Sequence, residues 1–262
     1  MDQPLTADEC SAFHRDGYVV RPGFFATEVM QPVITELDAW EAAGRPDPFT
    51  LPGHGALISH PPLMELVGQL CGPRFLFHHL NTYRHETGAP GVPWHNDYEQ
   101  VPQTNRSHLN LIALIYPAGL HGAVGDLVVL PGSQQLACPW QGLSFLGTAP
   151  LPGEVVIDDL PSGSLVLAHT GLHHCRRERS GTGPRYFTDA SYVQHGIRWP
   201  ASCQYDWRKM YAECRRLGHD RDGRYAHLFD ETQFFDWQEA TQRLAGLDQG
   251  SLYTLLPPCP TP

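Results

Sequence analysis

Apolar and polar positions change their rhythm twice along this chain. Residues 5–16 (LTADECSAFHRD) predict a short helix, with Thr6 as its N-cap and Glu9 three residues later completing a capping box. GYVVRPGFF predicts a short strand that stops at Pro22-Gly23. Val29, Val33, Ile34, Leu37 and Trp40 then recur close to every 3.6 residues, which predicts a second helix over about 27–43. Residues 44–60 are dense in Pro and Gly and read as a loop, and PPLMELVGQL at 61–70 reads as another helix.

From about residue 75 the period shortens. FLFHHLNTYRH, VPWHNDY, HLNLIALIY, GDLVVLPGS, GEVVIDDL, GSLVLAH, HHCRRE and PRYFTDASYV are strand-like runs broken by Gly, Pro, Asn and Ser clusters. Eight such runs in about 120 residues fit a double-sheet barrel or jelly roll. Helical spacing returns after Trp199, in YDWRKMYAECRRL and DWQEATQRLAGL. The aromatic and apolar set Trp207, Met210, Tyr211, Phe234, Phe235 and Trp237 could cover the mouth of the barrel or pack as ordinary core. Neither an internal repeat nor a low-complexity linker divides the chain. The expectation is one mainly β domain over 1–262, helical to about 74, jelly-roll over about 75–195 and helical again over about 196–262.

Composition narrows the function. A net charge of -10 argues against a nucleic-acid partner, since there is no basic excess to neutralise phosphates. A local arginine cluster can still bind a small anion in an acidic protein. The seven cysteines are scattered with no C-x-x-C pair, which favours reduced thiols and a cytoplasmic location. The N-terminus has no signal-like apolar stretch, and no run approaches the roughly 18 apolar residues of a membrane span, so no membrane partner is expected. Fifteen histidines are many, yet only their spacing can make a metal argument.

The spacing does so in three places. In Trp94-His95-Asn96-Asp97-Tyr98, His95 and Asp97 stand two apart, so on a strand both project to one face. Alone such a pair is a weak signal, equally served by a hydrogen bond at a strand end. Downstream, GSLVLAHTGLHH offers His169, His173 and His174, any of which could complete two imidazoles and one carboxylate. That set, with open coordination positions, is the pattern of non-haem iron(II) sites, although zinc can use it too. Arg185 follows His174 by eleven residues. If the turn around 180–183 joins two antiparallel strands, Arg185 lies beside His174 across the ladder, where a guanidinium could grip a dicarboxylate.

These residues, with the opening LTADECSAFHRDGYVV and GDLVVLPGS at 125–133, resemble the phytanoyl-CoA dioxygenase family over most of residues 5–194. The resemblance implies a double-stranded β-helix that uses iron(II), 2-oxoglutarate and dioxygen. Among the histidines it selects His174, giving His95, Asp97 and His174 as ligands and Arg185 as the 2-oxoglutarate anchor. Strand parity is compatible with that choice, because adjacent His173 and His174 face opposite ways unless a bulge intervenes. The resemblance also implies hydroxylation or another C–H oxidation rather than halogenation, since related halogenases replace the carboxylate of Asp97 with a small residue. A small specialised metabolite, amino acid or related acid fits the family's range better than a bulky acyl-CoA.

Three positions extend or depart from the family pattern. Gln134 stands where the family often has histidine after P-G-S, and reads as structural. Arg176 replaces a small or hydroxylated residue two past the late histidine; it either meets an anionic group or faces solvent in the charged run 176–179. Arg84 falls where the ectoine hydroxylase branch has a lysine near the cosubstrate, so it is a second candidate for 2-oxoglutarate, with Asn81 and Tyr83 on the same run. Trp94, Asn96, Tyr98, Glu99, His173 and Arg176 neighbour the proposed ligands and are candidates for the substrate. Two other classes use a similar donor set: a cupin-like protein that binds a metal or ligand without catalysis, and a zinc hydrolase. Neither requires an arginine at position 185.

Overall fold

Each of the eight strand-like runs folds as a strand, and they divide between two antiparallel sheets. In the computed structural model, residues 4–86, 88–97, 108–122, 124–136, 141–178, 181–202 and 204–236 are described. Among these residues five α-helices flank the strands: α1 (Ala7–Asp16), α2 (Thr27–Ala39), α3 (Pro52–Ile58), α4 (Pro61–Cys71) and α5 (Trp207–Arg216). In chain order the main strands are β1 (Tyr18–Arg21), β2 (Phe75–His85), β3 (Val92–His95), β4 (Asn110–Tyr116), β5 (Leu127–Val129), β6 (Val155–Ile157), β7 (Ser164–His169), β8 (His174–Arg176) and β9 (Arg185–Gln194). One sheet runs β1-β7-β4-β9-β2 and the other β3-β8-β5-β6. This is a jelly-roll core with a helical layer on one side.

Burial on both faces explains why β4 reads as NLIALIY rather than as an alternating run. Leu111, Ala113 and Ile115 join the helical core with Leu165, Leu167, Val33, Leu63 and Val67. Ile112, Leu114 and Tyr116 face the other way, with Val166 and Ala168, into the space between the sheets.

The first helix forms as expected: Thr6 accepts from the amide of Glu9, Glu9 reaches back to the amide of Thr6, and Gly17 ends the helix at φ 90°. Helix α2 stops at Ala39, short of the expected 43, and the indole of Trp40 donates to the carbonyl of Pro46 beyond it. The expected loop at 44–60 is corrected. It holds a 3-10 turn at Pro48–Thr50 and helix α3, whose Pro52 sits at a first-turn position that lacks an intrahelical acceptor anyway. The Glu36 carboxylate accepts from the amides of Gly53 and His54 and anchors that turn.

A second correction concerns β8 and β9. They are not ladder neighbours: β8 pairs with β3 and β5, while β9 pairs with β2 and β4. The intervening chain crosses from one sheet to the other, so His174 and Arg185 stand on opposite walls. The aromatic set after residue 199 is packing. Trp207, Met210, Tyr211 and Phe234 are buried in the helical core, and Phe234–Phe235 pairs with Trp199–Pro200. Trp237 and most of DWQEATQRLAGL lie outside the described residues. No helix among the described residues is long and apolar enough to cross a membrane.

Candidate metal centre and cavity

The ladder between β3 and β8 places His95 directly opposite His174. Residues paired across a rung share a face, and the two imidazole centroids lie 4.2 Å apart. Asp97 follows the end of β3, held by its amide to the carbonyl of Thr170 at 2.7 Å. Its Oδ1 is 3.6 Å from His95 Nε2, and its Oδ2 is 3.5 Å from His174 Nε2. One donor atom from each of the three residues lies within 4.8 Å of the others.

The hydrogen bonds behind the rings suit a cation. His95 Nδ1 donates to the carbonyl of Pro93 at 2.8 Å, and His174 Nδ1 donates to that of Leu172 at 3.0 Å. Each ring therefore keeps its Nε2 lone pair for the shared space, the arrangement typical of metal-bound histidine. Burial, with His174 alongside, lowers the pKa of His95 and so favours the neutral ring. Two lone pairs and a carboxylate converging without a bound proton donor fit a divalent metal of the iron or zinc kind.

A cavity of about 360 Å³ opens from this cluster between the sheets. The far wall is β9, where Arg185, Phe187 and Asp189 alternate inward. Arg185 is 5% exposed, lies 5.6 Å from the Tyr116 ring centre and 5.5 Å from that of Phe187, and donates to the carbonyl of Asp126. Tyr116 is fully buried, its hydroxyl has no hydrogen-bond partner among the described residues, and burial pushes its pKa up to about 12. A buried guanidinium beside a protonated, unpartnered hydroxyl fits a carboxylate.

Of the expected cosubstrate residues, Arg185, Asn81 and Tyr83 line the cavity. Arg84 does not, and that expectation is corrected. On β2 the inward positions are His79, Asn81, Tyr83 and His85, so Arg84 points outward to ion pairs with Asp38 at 2.9 Å and with Glu86. Of the expected substrate residues, Arg176 lines the cavity, 8% exposed, and donates to the carbonyl of Pro90. Trp94 is instead buried among Val128 and Cys175, with its indole donating to Ala149. Asn96 and His173 are fully buried against one another at 3.3 Å on the side away from the cavity, and the amide of His173 donates to Ser133. Strand alternation turns Trp94 away from the cavity, and none of the three lines it. Tyr98 and Glu99 lie outside the described residues. Gln134 donates to the carbonyls of His14 and Arg15, a structural tie to the end of α1.

Among the inward residues not singled out from the sequence are Tyr116, Phe187, Asp189 and His79. Two of them carry a readable signal, since Phe187 and Asp189 follow Arg185 at intervals of two within one run.

No family model and no curated protein matches the chain. Solved structures do. The non-heme alpha ketoglutarate dependent epimerase SnoN from nogalamycin biosynthesis is 21% identical, with a TM-score of 0.60 over 71% of this chain and 80% of its own. HygX from Streptomyces hygroscopicus, solved with nickel and 2-oxoglutarate bound, is 16% identical, with a TM-score of 0.62 over 78% and 93%. EctD from S. alaskensis, solved with 2-oxoglutarate and 5-hydroxyectoine, is 20% identical, with a TM-score of 0.60 over 72% and 76%. These likenesses establish a shared jelly-roll fold.

Proposed function

We propose that this chain is an iron(II)- and 2-oxoglutarate-dependent oxygenase that oxidises a C–H bond of a small molecule, of the kind found in the phytanoyl-CoA dioxygenase family. The observation that carries the reading is one cavity walled on one side by His95, Asp97 and His174 and on the other by the buried Arg185. A metal-binding protein or zinc hydrolase has use for the first wall and none for the second.

His95 and His174 would hold the iron through Nε2, and Asp97 through its carboxylate. Arg185 would hold the 5-carboxylate of 2-oxoglutarate, with its guanidinium fixed in direction by the Tyr116 and Phe187 rings and by the carbonyl of Asp126. When bound, iron and 2-oxoglutarate supply the oxidising power, drawn from dioxygen with loss of carbon dioxide and formation of succinate. The protein's share is orientation and an apolar wall: Ile112, Leu114, Leu127 and Phe187 line the space and would disfavour water beside the reacting group.

Adding iron(II) and 2-oxoglutarate to the purified protein without oxygen tests this reading. A visible charge-transfer absorption that needs both components supports it. Absence of that absorption, with zinc retained at one equivalent through purification, overturns it in favour of the hydrolase.

A further inference from the structure

We propose that Asp189, backed by Asn81 and His79, is the recognition point for a basic amine on the substrate; the proposal rests on the oxygenase reading above. Asp189 is 5% exposed and lines the cavity. Its Oδ1 accepts from the Asn81 side-chain amide at 3.2 Å and faces His79 Nε2 at 3.5 Å. Its Oδ2 has no hydrogen-bond partner among the described residues, so a buried carboxylate presents one oxygen to the cavity with nothing to bind.

A chain of hydrogen bonds behind Asp189 limits what His79 can offer it. His78 Nε2 is 3.0 Å from the carbonyl of Pro200, which can only accept, so that nitrogen carries a proton. Burial, with His79 next to it, depresses His78 to about 3, so the ring is neutral and its Nδ1 is a lone pair. His79 Nδ1, 2.7 Å away, must then donate to it. His79 Nε2 then stands 3.5 Å from Asp189 Oδ1, at the outer limit of a hydrogen bond. Burial, with Asp97 acting the same way, raises the pKa of Asp189 and outweighs the lowering by His79 and Asn81, so the carboxylate is not fully compensated within the fold.

The distribution of charge along the cavity indicates where that cation comes from. Arg176 and Arg185 are the guanidiniums of its wall, and both act electrostatically on Tyr116. Asp189 lies four residues along β9 from Arg185, roughly 13 Å at about 3.3 Å per residue. Its rung partners are Asn81 on β2 and Leu114 on β4, neither of them cationic. The 2-oxoglutarate dianion suits the arginine end and is repelled by Asp189. An ammonium group suits the opposite end, supplying the missing hydrogen bond at Oδ2 and a full positive charge; a hydroxyl supplies only the first.

The experiment uses the anaerobic iron(II)·2-oxoglutarate complex and three matched probes: cyclohexylamine, cyclohexanol and cyclohexanecarboxylate. The expected result is that the amine perturbs the charge-transfer absorption at a concentration about tenfold or more below the alcohol, with the carboxylate silent. In Asp189→Asn the amine falls to the level of the alcohol while the 2-oxoglutarate titration is unchanged. The proposal is overturned if alcohol or carboxylate binds the wild type as well as the amine does, if no probe binds, or if Asp189→Asn keeps the preference. Should the variant fail to fold, the ranking of the three probes on wild type decides alone. Failure of the wild type to form the 2-oxoglutarate complex strikes the oxygenase reading instead.

Discussion

An imidazole binds a metal through a lone pair, and the hydrogen bond at its other nitrogen determines which lone pair remains. His174 has that arrangement, while His173 is buried on the opposite side against Asn96. His174→Ala should therefore leave iron well below one per chain by metal analysis, and His173→Gln should keep iron at one equivalent while lowering the melting temperature. Loss of iron from His173→Gln would reverse the assignment. At the other wall, Arg185→Gln should weaken 2-oxoglutarate by about 3 kcal/mol, since it leaves a buried charge without its partner. Tyr116→Phe should weaken it by about 1 kcal/mol while leaving the ligand-free protein as stable or more so, because the hydroxyl removed has no partner there. A titration of 2-oxoglutarate beside a thermal melt separates these two signs. The three donors were legible from the His-x-Asp spacing and a late histidine, although Asp97 lies just past the end of β3 and is placed by its amide bond to Thr170. Tyr116 was not, since within NLIALIY it is indistinguishable from core, and Arg84 was misread because it has the opposite parity to Asn81 and Tyr83.

At the scale of the element, alternation along each strand was readable and the route between sheets was not. PRYFTDASYV announces a strand, but nothing local states that it leaves the sheet of β8 and enters between β2 and β4; that depends on contacts far apart in sequence. Helix α3 was hidden for a different reason, because Pro52 and Gly53 signal a break while also suiting a helix start. How the helical layer is joined to the sheets can be tested at glycine. Gly163, just before β7, has φ 75°, and a Cβ there would lie 2.1 Å from the backbone carbonyl oxygen of Phe25, whose amide donates to Gly163. Gly163→Ala should cost about 1–3 kcal/mol in denaturant unfolding, from backbone strain and that contact together. Gly68, inside α4, has room for a Cβ at 3.7 Å from the Phe75 ring, so Gly68→Ala should stabilise by about 0.5–1 kcal/mol. Equal effects from the two substitutions would show that helix propensity, and not the seam between layers, governs both.

For the whole molecule, a half-buried and a buried carboxylate tie stability to pH with opposite signs. Burial pushes Glu36 up, but hydrogen bonds from the His54 ring and from the amides of Gly53 and His54 outweigh it, leaving Glu36 below its ordinary 4.5. A lowered folded pKa contributes stability that is complete above the unfolded value and is lost as pH falls through the folded one. Asp189 is the reverse: burial raises it above its ordinary 3.8, so its contribution is present below that value and is lost as pH rises through the folded pKa. In the ligand-free protein, ionising Asp189 therefore comes at some expense of stability, which is what a recognition site awaiting a cation requires. Thermal melts between about pH 3.5 and 8 should show Asp189→Asn gaining on wild type as pH rises above roughly 4. They should show the deficit of Glu36→Gln shrinking as pH falls below roughly 4.5. A substrate amine that pairs with Asp189 should then restore to wild type, and not to Asp189→Asn, the stability lost at the higher pH. Parallel curves for wild type and Asp189→Asn across the range would mean that the carboxylate is already satisfied within the fold, and that its place on the cavity wall has no bearing on what the cavity binds.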